Sequence, residues 1–452
     1  MMTPYLPKHK LVVLDDDPTG VQTVHDIYVY TDWSLENIRA GFTGSEPLFY
    51  ILTNSRSFTA EQTKEVHTQI AERVWQVSQE TGIPFLLISR SDSTLRGHYP
   101  LETETLRQTL EALGAPHFDG EILCPFFLEG GRLTMDNIHY VKSGEQLIPA
   151  AETEFAKDPT FGYTSSDLRH YIEEKTAGQY PADSVLCVSL DLLRSKDIAS
   201  IRELLLRAEH FCKIVINATE YSDLIPFCQA LAAAINSGKH YMLRSAASIV
   251  KVLGGVSSQP LLSREAMLGT HTGAGLVVVG SHTQKSTSQL QELLKLSAFE
   301  DIPFHSELVL EGNDRFQQEI IRTRSACENA LKEGKNVVIY TGRSLIAQED
   351  DTPESALLRS VRISDGLQSI VKHLKVTPAF LIAKGGITSS DIATKALCVK
   401  RAFVMGQVKP GIPVWKTDAE SLFPGIPYII FPGNVGETST LREIAEILTA
   451  DS

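Results

Sequence analysis

Residues 11–20, Leu11-Val12-Val13-Leu14-Asp15-Asp16-Asp17-Pro18-Thr19-Gly20, set a short apolar run directly against an acidic turn. The run Leu11–Leu14 reads as a strand, and Pro18 and Gly20 mark where it gives way to a loop. The same arrangement recurs at Leu48–Leu52, Phe85–Ser89, Glu121–Phe126, Val185–Leu190, Lys213–Asn217 and His240–Arg244. Helical patterns lie between: over Thr59–Val77 the residues Val66, Ile70, Val74 and Val77 recur at spacings of three and four. Short β-branched runs alternating with longer helical patterns predict an α/β protein with a largely parallel sheet.

From Val252 to Ala274 the pattern lapses into Gly, Ser, Pro and Thr, and a second α/β series then begins. Its strands are expected at Leu276–Val279, Val337–Tyr340, Ala379–Ala383 and Tyr428–Phe431, with helices near 286–296, 315–333, 354–374 and 438–448. The expectation is two α/β domains, residues 1–260 and 261–452, without internal repeat or low-complexity segment. A chain of 452 residues, 42% hydrophobic and 21% charged, suits such a folded pair and excludes a disordered or coiled-coil protein.

The formal net charge is −13, with 42 basic against 55 acidic residues and no basic tract, which argues against nucleic acid as a partner. The charge is uneven. Up to Pro260 there are 22 basic and 33 acidic residues, net −11; beyond it, 20 and 22, net −2. No segment approaches the length of a membrane span and the amino terminus lacks a signal-type apolar run, so a cytoplasmic protein is expected. The six cysteines are far apart without a CxxC, which predicts buried reduced thiols.

The turns carry the chemistry. Ligands of open α/β sheets bind beyond the carboxyl ends of strands. Three successive carboxylates there, Asp15 to Asp17, repel one another unless a cation, proton or donor array faces them; Asp16 or Asp17 suits a general base towards a hydroxyl or an oxygen ligand for Mg²⁺. A simple Asx-type turn would need only one of them. Thr53-Asn54-Ser55-Arg56-Ser57 and Ser89-Arg90-Ser91-Asp92-Ser93-Thr94-Leu95-Arg96-Gly97-His98 add guanidinium forks and hydroxyls, the groups of a small polar-anion pocket. Cys124–Thr134 adds a Gly131-Arg132 turn. In the second domain Gly280-Ser281-His282-Thr283, Lys384-Gly385-Gly386-Ile387-Thr388 and Pro432-Gly433-Asn434 each follow a strand, as phosphate-binding turns do. GxxxxGK[ST], HExxH and GxSxG are absent, and Gly273-Ala274-Gly275 precedes a strand where a dinucleotide fingerprint follows one.

In order, Asp16–Gly20, Ser55-Arg56, Asp92–Gly97, Gly131–Thr134, Gly280-Ser281, Gly385–Ser389 and Pro410–Pro413 resemble the motifs of the four-carbon acid sugar kinases, over about residues 11 to 445. The resemblance implies an ATP-dependent kinase acting on a threonate, erythronate or 3-oxo-tetronate, with a sugar-acid-binding first domain and a nucleotide-binding second domain. It implies sugar-acid contacts at Asp16 or Asp17, Arg56, Arg90, Ser91, Asp92 and Ser93, and nucleotide contacts at Ser281, Gly385, Gly386, Ile387, Thr388 and Gly433. The chain departs from the family's Lys-Ser-Gly-Asn-Phe-Gly at Phe431–Gly436, and is bulkier than usual over Val21–Asp26.

The reaction so implied is transfer of the ATP γ-phosphoryl group to the terminal hydroxyl with Mg²⁺ present. Asp16 or Asp17 would be the catalytic base, and Arg56, with Arg90 or Arg96, would clamp the carboxylate. Expected partners are the sugar acid and ATP, with no nucleic acid and no membrane; a homo-oligomer is compatible with the sequence. The alternatives are an aldolase or dehydratase using the same pocket, or a sensor that binds a sugar acid or nucleotide without turning it over.

Overall fold

The structure, a computed structural model, describes residues 5–343, 353–433 and 435–450. Two units divide at Gln259–Pro260. In the first, β1 (Lys10–Asp15), β2 (Ile27–Tyr30), β3 (Leu48–Leu52), β4 (Phe85–Arg90), β5 (Gly120–Cys124), β9 (Leu186–Val188), β10 (Cys212–Ile216) and β11 (Tyr241–Ser245) form a wholly parallel sheet in the order β2-β3-β1-β4-β11-β5-β10-β9. A separate antiparallel meander comprises β6 (Arg132–Met135), β7 (Ile138–Ser143) and β8 (Gln146–Pro149).

All six residues of β1 are buried, as a strand covered on both faces requires. Its register sets Leu11 against Leu48 on one side and Leu86 on the other. The helix Ala60–Thr81 opens on a Thr59–Gln62 capping box and buries Thr63, His67, Ile70, Val74 and Val77. That stripe is shifted from the expected one. Val66 sits half-buried at its edge, and His67, one residue on, is inside with Nδ1 against the Thr63 carbonyl at 2.7 Å.

The second unit orders β12 (Leu276–Val279), β13 (Phe299–Phe304), β14 (Asn336–Thr341), β15 (Leu381–Lys384), β16 (Arg401–Lys409), β17 (Ile412–Thr417) and β18 (Pro427–Phe431) as β13-β14-β12-β15-β18-β17-β16. The first five are parallel; β16 and β17 run antiparallel to their neighbours, so this sheet is mixed. Pro410-Gly411 is thereby the turn of a hairpin, and Pro413 lies in β17 against Gln407. Its helices are Gln284–Leu293, Asn313–Lys332, Pro353–Lys372 and Thr440–Thr449, with shorter turns between.

Some expected strands are shorter. The run Val185–Leu190 is strand only to Val188, because Ser189 accepts from Leu192 N at 3.2 Å and starts the helix Leu190–Ser195. β2, the meander, β13, β16 and β17 were not foreseen. β16 nevertheless carries its signal in strict alternation, with Ala402, Val404, Gly406 and Val408 buried. All six cysteines are free; Cys124, Cys228 and Cys327 are buried, Cys187 and Cys212 half-buried and Cys398 exposed, contrary to a uniformly buried set. No helix among the described residues is long and apolar enough to cross a membrane.

In both units the first strand separates the second and third strands of its series from the fourth. β1 has β3 on one side and β4 on the other; β12 has β14 and β15. Successive connections therefore leave in opposite directions and a crevice opens beyond the carboxyl end of the first strand. Asp15–Gly20 lies at one such point and Gly280–Thr283 at the other.

Candidate functional site

At the first switch point the three aspartates have different surroundings. Asp15 is fully buried beside the Arg90 guanidinium, with Nη1–Oδ1 at 3.3 Å, and its Oδ2 has no partner. Burial raises its carboxyl well above the usual range; Arg90 opposes this and the neighbouring Asp16 and Asp17 add to it. Asp16 accepts from Arg56 Nη2 at 2.8 Å and Nε at 3.2 Å, and from Ser91 Oγ at 2.7 Å. Asp17 is the most open, 16% exposed: Oδ1 caps Thr19 N at 2.7 Å while Oδ2 lies 3.6 Å from Arg56 Nη1. Arg56 reaches them from a 3₁₀ turn after β3, entered through Asn54 in the left-handed region, φ 56°.

The loop after β4 supplies the rest. Arg90 is 3% exposed and also donates to Gln22 Oε1 at 3.3 Å. Ser91 Oγ joins Asp16 to Arg244 Nη2 at 2.8 Å. Asp92 accepts from Thr94 and from Arg96 Nε at 2.7 Å. Its burial is outweighed by Arg96 and then Arg56, which hold the carboxyl well below the usual carboxylate range. Ser93 is buried and anchors the loop through its carbonyl. Gly97, at φ +122°, allows the chain to turn against this cluster; a Cβ there would meet Ser91 Oγ at 2.6 Å.

Beneath lies a group that the sequence reading passed over. Arg244, the penultimate residue of β11, donates to Ser89 Oγ at 2.8 Å and to Glu102, which also accepts from Ser55 Oγ at 2.6 Å. Burial would raise Glu102, but Arg244, His67 and the Ser55 hydroxyl hold it down to about 2. Arg244 ended an expected strand, and a charged residue at the carboxyl end of a strand was the available signal.

The second switch point is built differently. Gly280–Thr283 leads from β12 into the helix Gln284–Leu293, where Thr283 caps Ser286 N at 3.2 Å and Ser286 Oγ donates to Ser281 Oγ at 2.9 Å. Ser281, Gly385, Thr388 and Gly433 converge here: a Cβ on Gly280 would lie 2.3 Å from Thr388 Oγ1, one on Gly385 3.0 Å from Ser281 Cβ, and one on Gly433 3.8 Å from Ser281 Oγ. Gly386 opens the short helix Gly386–Asp391, and Ile387 beside it is 68% exposed. Asn434 lies outside the described residues.

Two cations at this mouth meet carbonyls rather than carboxylates among the described residues. Arg343, after β14, donates to the carbonyls of Ser281 at 2.7 Å, Thr341 at 2.6 Å and Val279 at 3.3 Å. Lys384, fully buried at the end of β15, donates to Pro432 O at 2.5 Å and Gly433 O at 3.2 Å. Burial, then Lys285, pushes its ammonium down to about 7. Hydroxyls, close-packed glycines and basic side chains held by carbonyls at a strand end suit a polyphosphate.

Arg56 holds both oxygens of Asp16 and Arg90 one oxygen of the buried Asp15. Asp17 Oδ2 is therefore the reachable carboxylate oxygen of this turn that would be open to a magnesium ion, a cation that takes one or two protein carboxylates and completes its shell with phosphate oxygens and water.

Two α/β units, one closing an acidic and guanidinium network and the other a hydroxyl and glycine turn around its switch point, define a two-domain protein for a polar small molecule and an anion. A family model described as a sugar-binding N-terminal domain matches residues 11–253, and one described as a nucleotide-binding C-terminal domain matches residues 276–441. The chain belongs to the family with this architecture, the four-carbon acid sugar kinase family. Among solved structures, a Salmonella typhimurium LT2 protein provisionally described as a tRNA synthase is similar at TM-score 0.68 and 16% identity, over 97% of this chain and 98% of that one. The Haemophilus influenzae protein HI1011 is similar at TM-score 0.64 and 16% identity, over 97% and 100%. At such identity these show the fold. No curated protein sequence matches the chain.

Proposed function

We propose that the protein is a kinase that transfers the γ-phosphoryl group of ATP to the terminal hydroxyl of a four-carbon sugar acid of the threonate, erythronate or 3-oxo-tetronate type. The observation that carries this reading is Asp17: a carboxylate 16% exposed at the switch point of the sugar-binding domain, whose Oδ2 accepts no close hydrogen bond among the described residues while Oδ1 is fixed by Thr19 N.

Asp17 then takes the hydroxyl proton as oxygen attacks phosphorus, and Asp16, gripped by Arg56 and Ser91, keeps the loop in place. Asp92, fixed by Arg96, is an acceptor for substrate hydroxyls. In the nucleotide-binding domain Ser281, Gly385, Gly386, Ile387, Thr388 and Gly433 line the phosphates, with Lys384 and Arg343 supplying positive charge behind the main chain. A nucleotide-binding domain has no part in an aldolase or dehydratase, which favours phosphoryl transfer over those readings.

The test is ADP release from ATP with D- and L-threonate, D- and L-erythronate and their 3-oxo forms, magnesium present. Turnover with at least one acid and none with the matching lactone is expected; no ADP release across the panel would overturn the reading.

A further inference from the structure

Among the described residues, the ion pairs around the Asp15–Asp17 and Asp92 turns leave one guanidinium over. Arg56 holds Asp16 and faces Asp17, Arg90 meets Asp15, Arg96 holds Asp92 with Asp158 at 3.8 Å, and Arg244 holds Glu102. Arg132, the first residue of β6, pairs with no carboxylate among the described residues. Its Nη1 donates to the Gly130 carbonyl of its own turn, and its Nε is buried without a partner. The guanidinium lies over the Phe155 ring, 5.9 Å from Cζ to the centroid, and Arg96 covers the same ring at 5.0 Å.

The position is rigid and reachable. Arg132 N donates to Phe127 O at 2.9 Å, Phe127 N to Arg132 O at 3.0 Å, and Lys142 N to Gly131 O at 2.8 Å. Two residues on, Thr134 Oγ1 meets His139 Nδ1 at 3.0 Å, and His139 Nε2 lies 2.7 Å from the Ser93 carbonyl. Burial holds His139 near 4, hence neutral, so Nε2 donates to the carbonyl and Nδ1 accepts from Thr134. The strand bearing Arg132 is thus bolted to the loop bearing Asp92. Arg132, Asp92, Arg96 and Phe155 are all half-buried, so solvent reaches the cluster. Burial disfavours the Arg132 charge, and Asp92, the carboxylate that offsets this, is held by Arg96 instead. A partly desolvated cation so placed gains from meeting an anion, and a planar fork braced on an aromatic ring suits a carboxylate.

We propose that Arg132 receives the carboxylate of the sugar acid, whose hydroxyls turn towards Asp92. The assignment rests on the sugar-acid reading above, and takes the clamping role from Arg56, Arg90 and Arg96, whose guanidiniums already hold this chain's own carboxylates.

Calorimetric titration of the full chain, without nucleotide, tests it with D- and L-threonate, D- and L-erythronate and their neutral amides. Wild type is expected to prefer an acid to its amide. Arg132→Gln should weaken the acid about 10- to 100-fold and leave the amide unchanged, while Arg132→Lys keeps part of the preference. Should Arg132→Gln fail to fold, the acid-to-amide ratio of Arg132→Lys decides, an unaltered ratio counting against the assignment. Equal acid binding by Arg132→Gln and wild type, equal loss of acid and amide, or no acid bound by wild type would each overturn it. Acids that bind through Arg132 with no ADP release from any member of the panel would overturn the kinase reading and leave this assignment standing.

Discussion

Arg56 and Asp16, forty residues apart, meet through two hydrogen bonds, Nη2 to Oδ1 at 2.8 Å and Nε to Oδ2 at 3.2 Å. Asp16 is 2% exposed and Arg56 21%, so the guanidinium is the outer member of the pair and shields the carboxylate from water. Asp17 beside it keeps one oxygen without a close donor. Neighbouring carboxylates in one turn are thereby divided between holding the site and facing a ligand.

That division is testable by amide substitution. Asp17→Asn should lower kcat by roughly 10²- to 10⁴-fold with little change in thermal stability, as loss of a positioned base does. Asp16→Asn, which leaves the Arg56 fork half-satisfied, should lower Tm and raise KM for the acid. Steady-state ADP release and calorimetry on both variants check this; near wild-type kcat for Asp17→Asn would remove it as the base.

Arg56→Ala leaves Asp16 buried and facing Ser91 with less positive charge to oppose it. Removing one member of a buried pair costs about 3 kcal/mol, a fall of roughly 10 °C in Tm for a domain of this size. A scanning calorimetry trace within about 2 °C of wild type would show that the pair is worth no more than a surface salt bridge.

Gly280→Ala places a methyl group 2.3 Å from Thr388 Oγ1. Either the Gly280 turn or the Gly385–Thr388 turn must move, and ADP affinity should drop about tenfold or more, by the amount a displaced phosphate contact is worth. Sugar-acid affinity should not change. Adding Thr388→Ala makes room, so the double variant should bind ADP better than Gly280→Ala alone; titration of the four proteins with ADP forms the cycle.

Lys384 gives a pH signature. Burial and Lys285 place its folded-state value near 7, below the ordinary lysine value, so the unfolded chain holds the extra proton between the two. Its contribution to stability is present above the ordinary value and is lost as pH falls through about 7. The Tm of wild type minus that of Lys384→Met should therefore rise from pH 6 to pH 9. A pH-independent difference would show that Lys384 stays charged throughout.

Much of the architecture was legible in the chain because it is locally encoded. Apolar runs such as Leu11–Leu14 and Leu276–Val279 announce buried strands, the Gly, Ser and Pro of Val252–Ala274 announce a break, and turns rich in Asp, Arg, Gly and Thr announce where ligands belong. The antiparallel β16 and β17 were passed over, although the alternation along β16 was there to be read. Arg244 and Glu102 were not singled out, and Lys384 entered only as part of its turn, because their meaning lies in partners far away along the chain.

Local propensity and patterning thus determined the strand-and-turn order, and the ordered motifs implied the family. Tertiary structure decided that Asp15–Gly20 and Gly280–Thr283 both stand at switch points, since strand order is a matter of which crossover passes on which side of the first strand. It also decided which charges are already paired. Ser91 meets Arg244 across 153 residues and Asp16 meets Ser91 across 75. Sequence displays each arginine as a possible clamp, but an ion pair depends on two side chains sharing a few ångströms of space, and only the folded chain leaves Arg132 as the one in this network without a carboxylate among the described residues.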